Sequence, residues 1–319
     1  MALKIDDKIV HATATEVIMQ NGENFTNGTN GAIKVSSEAI MGDLEATSML
    51  GEIANIIGGR DINASTDATV KQLATRDENN IKLYWGTGAI EFKVVDATRY
   101  GSDAGAFSVA IGEQIGKGIV MYMLNGAIAG LMGSIGSQTA LIEGDGSATV
   151  SHSILNKSLV PFGDARDTIV CWVMNGKTYA DLVDAGLGIA TSNVAGGVVA
   201  DGSVGTLGRP VYMTDSSSLA LVSTDGNATA SNGILGLSVD AINVVESASR
   251  TFANEIITGK ENIMYRIQGE GEFMLNIKGY SWLTASGTNP SPTALATSTN
   301  WEQKASDVKA TAGVLINVA

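Results

Sequence analysis

Apolar positions recur with two different periods along this chain, and the change of period marks out its elements. Between residues 105 and 133, Phe107, Ile111, Ile115 and Ile119 fall four apart in one file. Glu113, Lys117, Met121 and Asn125 fall four apart in another, on roughly the opposite side. Such files predict one long amphipathic helix over 105–133. Glu113 and Lys117 are spaced to pair on its wet face. Its second half, "IVMYMLNGAIAGLMGSIG" at 119–136, carries no charge. A membrane span needs about 20 apolar residues. Asn125 and the glycines dilute this one, and no flanking Lys or Arg marks an inside end. A helix packed against a sheet in water is expected, with no membrane. Gly126, Gly130 and Gly133 then mark close approach, which offsets a helix cost of about 1 kcal/mol per glycine.

Elsewhere the period drops to two. "IKLYWGTGAIEFKVVD", within residues 60–100, holds two β-rich runs hinged at Gly86–Gly88 and predicts a long hairpin. "TIVCWVMNGKTYADLVDAGL" predicts a buried strand, an Asn-Gly turn and a helix ending before Gly186. "LGRPVYMTDSSSLALVSTD" predicts two strands about a Ser-rich turn, and "GILGLSVDAINVVESASR" one further strand. The last 55 residues or so alternate apolar and polar positions, as antiparallel strands do. Residues 1 to about 45 are polar, with Asn-Gly pairs at 21–22, 27–28 and 30–31, and predict a mostly extended arm. "EATSMLGEIANIIGG" predicts a short helix. No repeat of fixed period appears, so a solenoid is not expected.

Composition changes the picture in three ways. Charged residues make up 17% of the chain, against about 25% in an average globular protein. With 38 glycines and few aromatics, this points to a closely packed, sheet-rich chain with much uncharged surface. Surfaces of that kind are often covered by partner subunits. The formal charge of −13, with no basic run, argues against gripping nucleic acid through its phosphates. The single cysteine, Cys171, excludes an intrachain disulfide, and the N-terminal sequence has no secretory signal pattern. The length of 319 residues allows about two domains.

Candidate chemistry is sparse. His11 and His152 are the two histidines. A Ser-His dyad built on His152 competes with the commoner reading of an isolated surface histidine. There is no G-x-S-x-G elbow, G-x-G-x-x-G turn, Walker A loop or metal-spaced Cys/His cluster. Asp164 and Asp167 read as solvated turn residues. Asn24, Asn27, Asn63, Asn156 and Asn227 sit in N-x-S/T triplets that chance explains in a Ser/Thr-rich chain. Trp172, Trp282 and Trp301 read as packing anchors, and Cys171 as a buried apolar residue. No catalytic, cofactor-binding or metal-ligating residue is expected, and no cofactor.

The order of these pieces resembles a tailed-bacteriophage major capsid (coat) protein of the Hong Kong 97 (HK97-like) fold. "KQLATRDENNIKLYWGTGAIEF" running into "SDAGAFSVAIGEQIGKGIVMYMLNG" looks like that family's extended loop entering its spine helix. "TIVCWVMNGKTYADLVDAGL" followed by "LGRPVYMTD" looks like its axial domain. "GYSWLTASGTNPSPTALATSTNWEQKASDVKATAGVLINVA" looks like its closing strands. The resemblance implies an α+β fold in which 1–45 is an N-terminal arm and 46–104 the extended β-hairpin loop region of the peripheral domain. Residues 105–150 are then the spine helix and peripheral domain, 151–260 mainly the axial domain, and 261–319 returning peripheral-domain strands. It implies no enzyme but a self-assembling shell of hexamers and pentamers around double-stranded phage DNA. Its implied partners are further copies of itself, a separate scaffolding protein, a portal protein and, optionally, a decoration protein. Its implied place is the virion, after assembly in the bacterial host cytoplasm. Some relatives form Lys–Asn crosslinks, for which Lys71 or Lys82 would be the candidates. Alternatives are an encapsulin-like nanocompartment shell, an α/β enzyme using His152 with a nearby carboxylate, and a cell-surface or tail-tube β protein.

Overall fold

A computed structural model describes residues 6–38, 42–50, 62–63, 75–100, 104–195, 207–221, 231–246 and 250–319. The chain opens with helix α1 (Asp7–Gly28), then strands β1 (Ile33–Ser37), β2 (Leu44–Leu50), β3 (Thr75–Gly86) and β4 (Ile90–Lys93). Helices α2 (Val94–Tyr100) and α3 (Ala104–Gly136) follow, then β5 (Ile142–Glu143), α4 (His152–Ser158), β6 (Ile169–Met174) and α5 (Gly176–Ala195). Next come β7 (Val211–Met213), β8 (Ala220–Leu221), β9 (Ser231–Ser238), β10 (Ile242–Glu246), β11 (Thr251–Ile257) and β12 (Met264–Ile277). The chain closes with β13 (Tyr280–Trp282), α6 (Pro292–Ala296), β14 (Trp301–Gln303) and β15 (Gly313–Val318).

Two sheets carry the fold. The first has seven strands and is organised on β12, which is flanked along each edge by two strands in tandem. On one edge, β11 pairs with 264–270 and β10 with 273–277. On the other, β4 pairs with 264–267 and β3 with 270–275. β1 and β2 are the outer strands. The second sheet runs β5-β15-β9-β6-β7, with β8 also on β9. Three residues, Val239 to Ala241, carry the chain from β9 in one sheet to β10 in the other. Three segments hold this crossing. Val239 N–H donates to Thr168 O (3.1 Å), Asp240 N–H to Gly31 O (3.0 Å), and Lys278 N–H to Ala241 O (3.0 Å). Lys34 pairs with Asp240, whose backbone is left-handed (φ 57°).

The expected long helix is α3, and its two files hold. Ile115 and Ile119 are buried with Phe107 and Ile111 packed against the core, while Glu113, Lys117 and Met121 are exposed. Two of its glycines mark close approach, Gly130 over Ile277 and Gly133 over Leu295 and Trp301, whereas at Gly126 a Cβ would meet Phe273 and Leu83 at ordinary contact. The helix is long and apolar enough to cross a membrane, yet 72% of its most apolar window is buried inside the chain. Its apolar length is spent on both sheets: the C-terminal turns reach the second one, where Met132 lies on Gly233 and Gly136 faces Leu315.

Four expectations are corrected, and a fifth in its end point. Residues 7–28 are a helix, not an extended arm. The Asp6 carboxylate caps α1, accepting from Lys8 N–H (3.0 Å). Val10, Ala14, Ile18 and Gly22 form its buried file. Gly112 and Gly116 of α3 let α1 approach to backbone contact, at Val10 O and Ala14 O. Only the last Asn-Gly pair makes a turn, with Asn30 and Gly31 both at positive φ. Secondly, Glu45–Leu50 lie in a strand and not in a short helix; 51–59 lie outside the described residues. Thirdly, β3 and β4 are not the two arms of one hairpin. Both pair with β12 and run end to end. The antiparallel partner of β3 is β2. Fourthly, "GILGLSVDAINVVE" is two strands in two sheets, β9 and β10. The strand, Asn-Gly and helix read from 168–187 are present as β6, Asn175 and α5. There the Asn175 carboxamide accepts from Thr178 N–H (2.7 Å), and the helix runs past Gly186.

Candidate functional site

The residues singled out for chemistry do not meet. His11 is half-buried in α1 with its ring edge-on to Phe252 at 5.7 Å. His152 is exposed at the first turn of α4. The neighbouring Ser151 hydroxyl oxygen is the cap of that helix, accepting from Ile154 N–H (3.4 Å). Asp164 is exposed and held by Lys309 (2.5 Å), whose ammonium keeps its carboxyl below the usual range. Cys171 is buried in β6, where desolvation pushes the thiol up to about 11. Trp172 and Trp282 are fully buried, and Trp301 packs edge-on against Trp282 at 5.1 Å. Lys82 is buried in β3, its Nζ 3.2 Å from Glu272; Lys71 lies outside the described residues. No group of His, Cys, Asp and Glu among the described residues could hold a metal ion.

Three surfaces stand out instead. One is the tongue where β4, β12 and β11 run side by side. Cross-strand neighbours Glu91, Arg266 and Glu255 alternate in sign across it, with Arg266 2.5 Å from Glu91 and 3.6 Å from Glu255. Lys260 closes on Glu91 at 3.3 Å. Arg266, with Lys260 behind it, holds the Glu91 carboxyl below the ordinary range. The opposite face is apolar: Phe92 stacks on Tyr265 (5.9 Å) and meets Phe107 of α3 (5.2 Å).

The second surface joins α1 to the sheet. Arg250 and Glu246 pair at 2.9 Å, both nearly fully buried, and Arg250 Nη1 donates to Thr15 Oγ1 (3.1 Å). Burial pushes the Glu246 carboxyl up, and the Arg250 charge opposes that push. Asn254 Nδ2 donates to the Asp7 carboxylate (2.6 Å).

The third is a groove of about 580 Å³ between α3 and the junction of β3 with β4. Tyr84, Trp85, Ile90, Ile111 and Tyr122 form its walls, and Gly118 opens it. At the junction, Thr87 replaces the missing ladder bonds. Its N–H donates to Gly269 O (2.9 Å), and its hydroxyl oxygen accepts from Gly269 N–H (2.8 Å). Tyr84 donates its phenol to Asp43 (2.5 Å), which pushes that phenol up to about 12. Sequence reading did not find this groove. Its one signal was the Gly86–Gly88 interruption, which looked like a hairpin tip.

This fold, a seven-stranded sheet covered by a long helix and joined to a second sheet, has counterparts among solved phage capsids. The chain is similar in structure to the Cyanophage Pam1 capsid, with a TM-score of 0.54 at 9% identity, covering 90% of this chain and 88% of that one. It is also similar to the acid-stable capsid of Helicobacter pylori bacteriophage KHP30, with a TM-score of 0.52 at 10% identity, covering 91% and 88%. At such identities the likeness defines the α+β fold. The family follows from the sequence itself: residues 2–315 match the model of the major capsid protein 13-like family, and the chain belongs to it. No curated protein matches the chain. The family is structural and not enzymatic; its members are phage coat proteins that form an icosahedral shell from many copies of themselves, as the virion capsid.

Proposed function

We propose that this chain forms the hexamers and pentamers of an icosahedral shell enclosing double-stranded phage DNA, assembled in the host cytoplasm. Membership of a major capsid family over residues 2–315 carries the proposal. In this reading the seven-stranded sheet with α1 and α3 is the peripheral domain, with β2 and β3 as the stem of the extended loop. The six-stranded sheet with α4 and α5 is the axial domain. The partners outside the chain are a scaffolding protein, a portal protein and, in some shells, a decoration protein. The charge of −13 supports the portal. A subunit with more acidic than basic side chains does not gather a polyanion by releasing its counterions. DNA must then be driven in by an ATP-powered motor.

Size-exclusion chromatography and electron microscopy of the purified protein, alone and with a co-expressed scaffolding protein, test the reading. Particles of megadalton mass are expected. A stable monomer under every such condition would overturn it.

A further inference from the structure

We propose that the groove between α3 and the β3–β4 junction seats an apolar side chain from a second copy of this chain. The proposal rests on shell assembly and names one surface through which it occurs. Tyr84, Ile90 and Tyr122 remain 41%, 39% and 37% exposed although they face one another across a cavity of about 580 Å³. An open, contiguous apolar wall of that kind marks an interaction site.

Electrostatics selects the occupant. None of the eleven lining residues is Asp, Glu, Lys or Arg; of the two phenols, Tyr84 is committed to Asp43 and Tyr122 lies edge-on to Phe273. Two copies that each carry −13 repel, so a close contact between them belongs where neither presents a carboxylate. A basic partner would instead be received on a surface lined by acidic residues, and none lines this groove.

The backbone selects the mode of entry. Thr87 and Gly269 already satisfy each other across the junction, so no strand can be added between them. The occupant enters by its side chains. The same chain supplies such side chains away from the groove: Ile62, Val160 and Met19 are 82%, 72% and 65% exposed. A pocket and a complementary apolar projection at different places on one chain are the elements of a repeating heterologous contact.

Gly118→Cys tests this directly. No atom lies within 4 Å of a Cβ built there, and the chain's own Cys171 is buried. Maleimide should label the introduced thiol in free subunits, and labelling should be lost in shells of this chain freed of scaffolding protein. Tyr122→Lys should leave the free subunit folded by circular dichroism but abolish particles. Shells in which the thiol labels as in free subunits would overturn the proposal while leaving the shell reading intact. Protection that disappears once a scaffolding protein is stripped away would assign the groove to that protein and also overturn it. Absence of particles from the unmodified chain under any condition would sink the shell reading, and this proposal with it.

Discussion

At Gly133 a hydrogen atom is the only side chain the packing permits. A methyl group would overlap the Leu295 carbonyl oxygen and press on the Trp301 indole, whose Nε1–H donates to that same oxygen (2.7 Å). Gly133→Ala should therefore destabilise the chain by about 1–3 kcal/mol, the usual cost of overpacking, despite the better helix propensity of alanine. A denaturant titration of the unassembled subunit reads this, and an unchanged midpoint would refute the close contact. Glu78 shows the opposite tension, too much chemistry in too dry a place. Burial in β3 pushes its carboxyl above the ordinary range. A carboxyl that holds its proton more tightly when folded loses stability as pH climbs from the ordinary carboxylate value through the raised one. Glu78→Gln keeps the shape without the charge. Its unfolding midpoint should exceed the parent's at neutral pH and approach it near about pH 4, where free carboxylates titrate. Equal midpoints at both would contradict the sign.

Among the elements, α1 gives the sharpest test. Its buried file abuts Gly112 and Gly116, where a Cβ would come within about 3 Å of Thr13 and Val17. Gly116→Leu should lift α1 from α3, so that limited proteolysis cuts within 7–28 in the variant but spares that stretch in the parent subunit. Early cutting of the parent there would show that the helix does not dock. The elements also show what a sequence can disclose. α3 was legible because four large apolar residues recur at one spacing and no competing signal interrupts them. α1 was not, because Ala14 and Gly22 supply half of its buried file and add little hydrophobicity, while two Asn-Gly pairs imitate turns. Which strands pair is a tertiary fact. Gly86–Gly88 marks a break in both a hairpin and a tandem, and only the shared partner β12 separates them. The groove was hidden for the same reason, since how β3, β4 and α3 pack against one another is also a tertiary fact. The absence of catalytic motifs, by contrast, could be read directly from residue types and spacings.

For the whole molecule, charge is the dominant quantity. With 20 basic and 33 acidic residues, a shell of many copies presents a large negative charge to any enclosed polyanion. Shells produced without packaging proteins should be empty, with the ultraviolet absorbance ratio of protein alone. Nuclease-protected nucleic acid recovered in both low and high salt would refute that. The three-residue crossing from β9 to β10 has a further consequence. A closed shell of the proposed kind asks one chain to occupy five-fold and six-fold surroundings that bend by different amounts. With Val239, Asp240 and Ala241 held by three segments, and with α3 splinted across both sheets, the described residues show no hinge at the waist. Copies taken from the two surroundings of a reconstructed shell should superpose on both sheets at once. A rotation of one sheet against the other would contradict this. Curvature is then negotiated between neighbours and not within the brick.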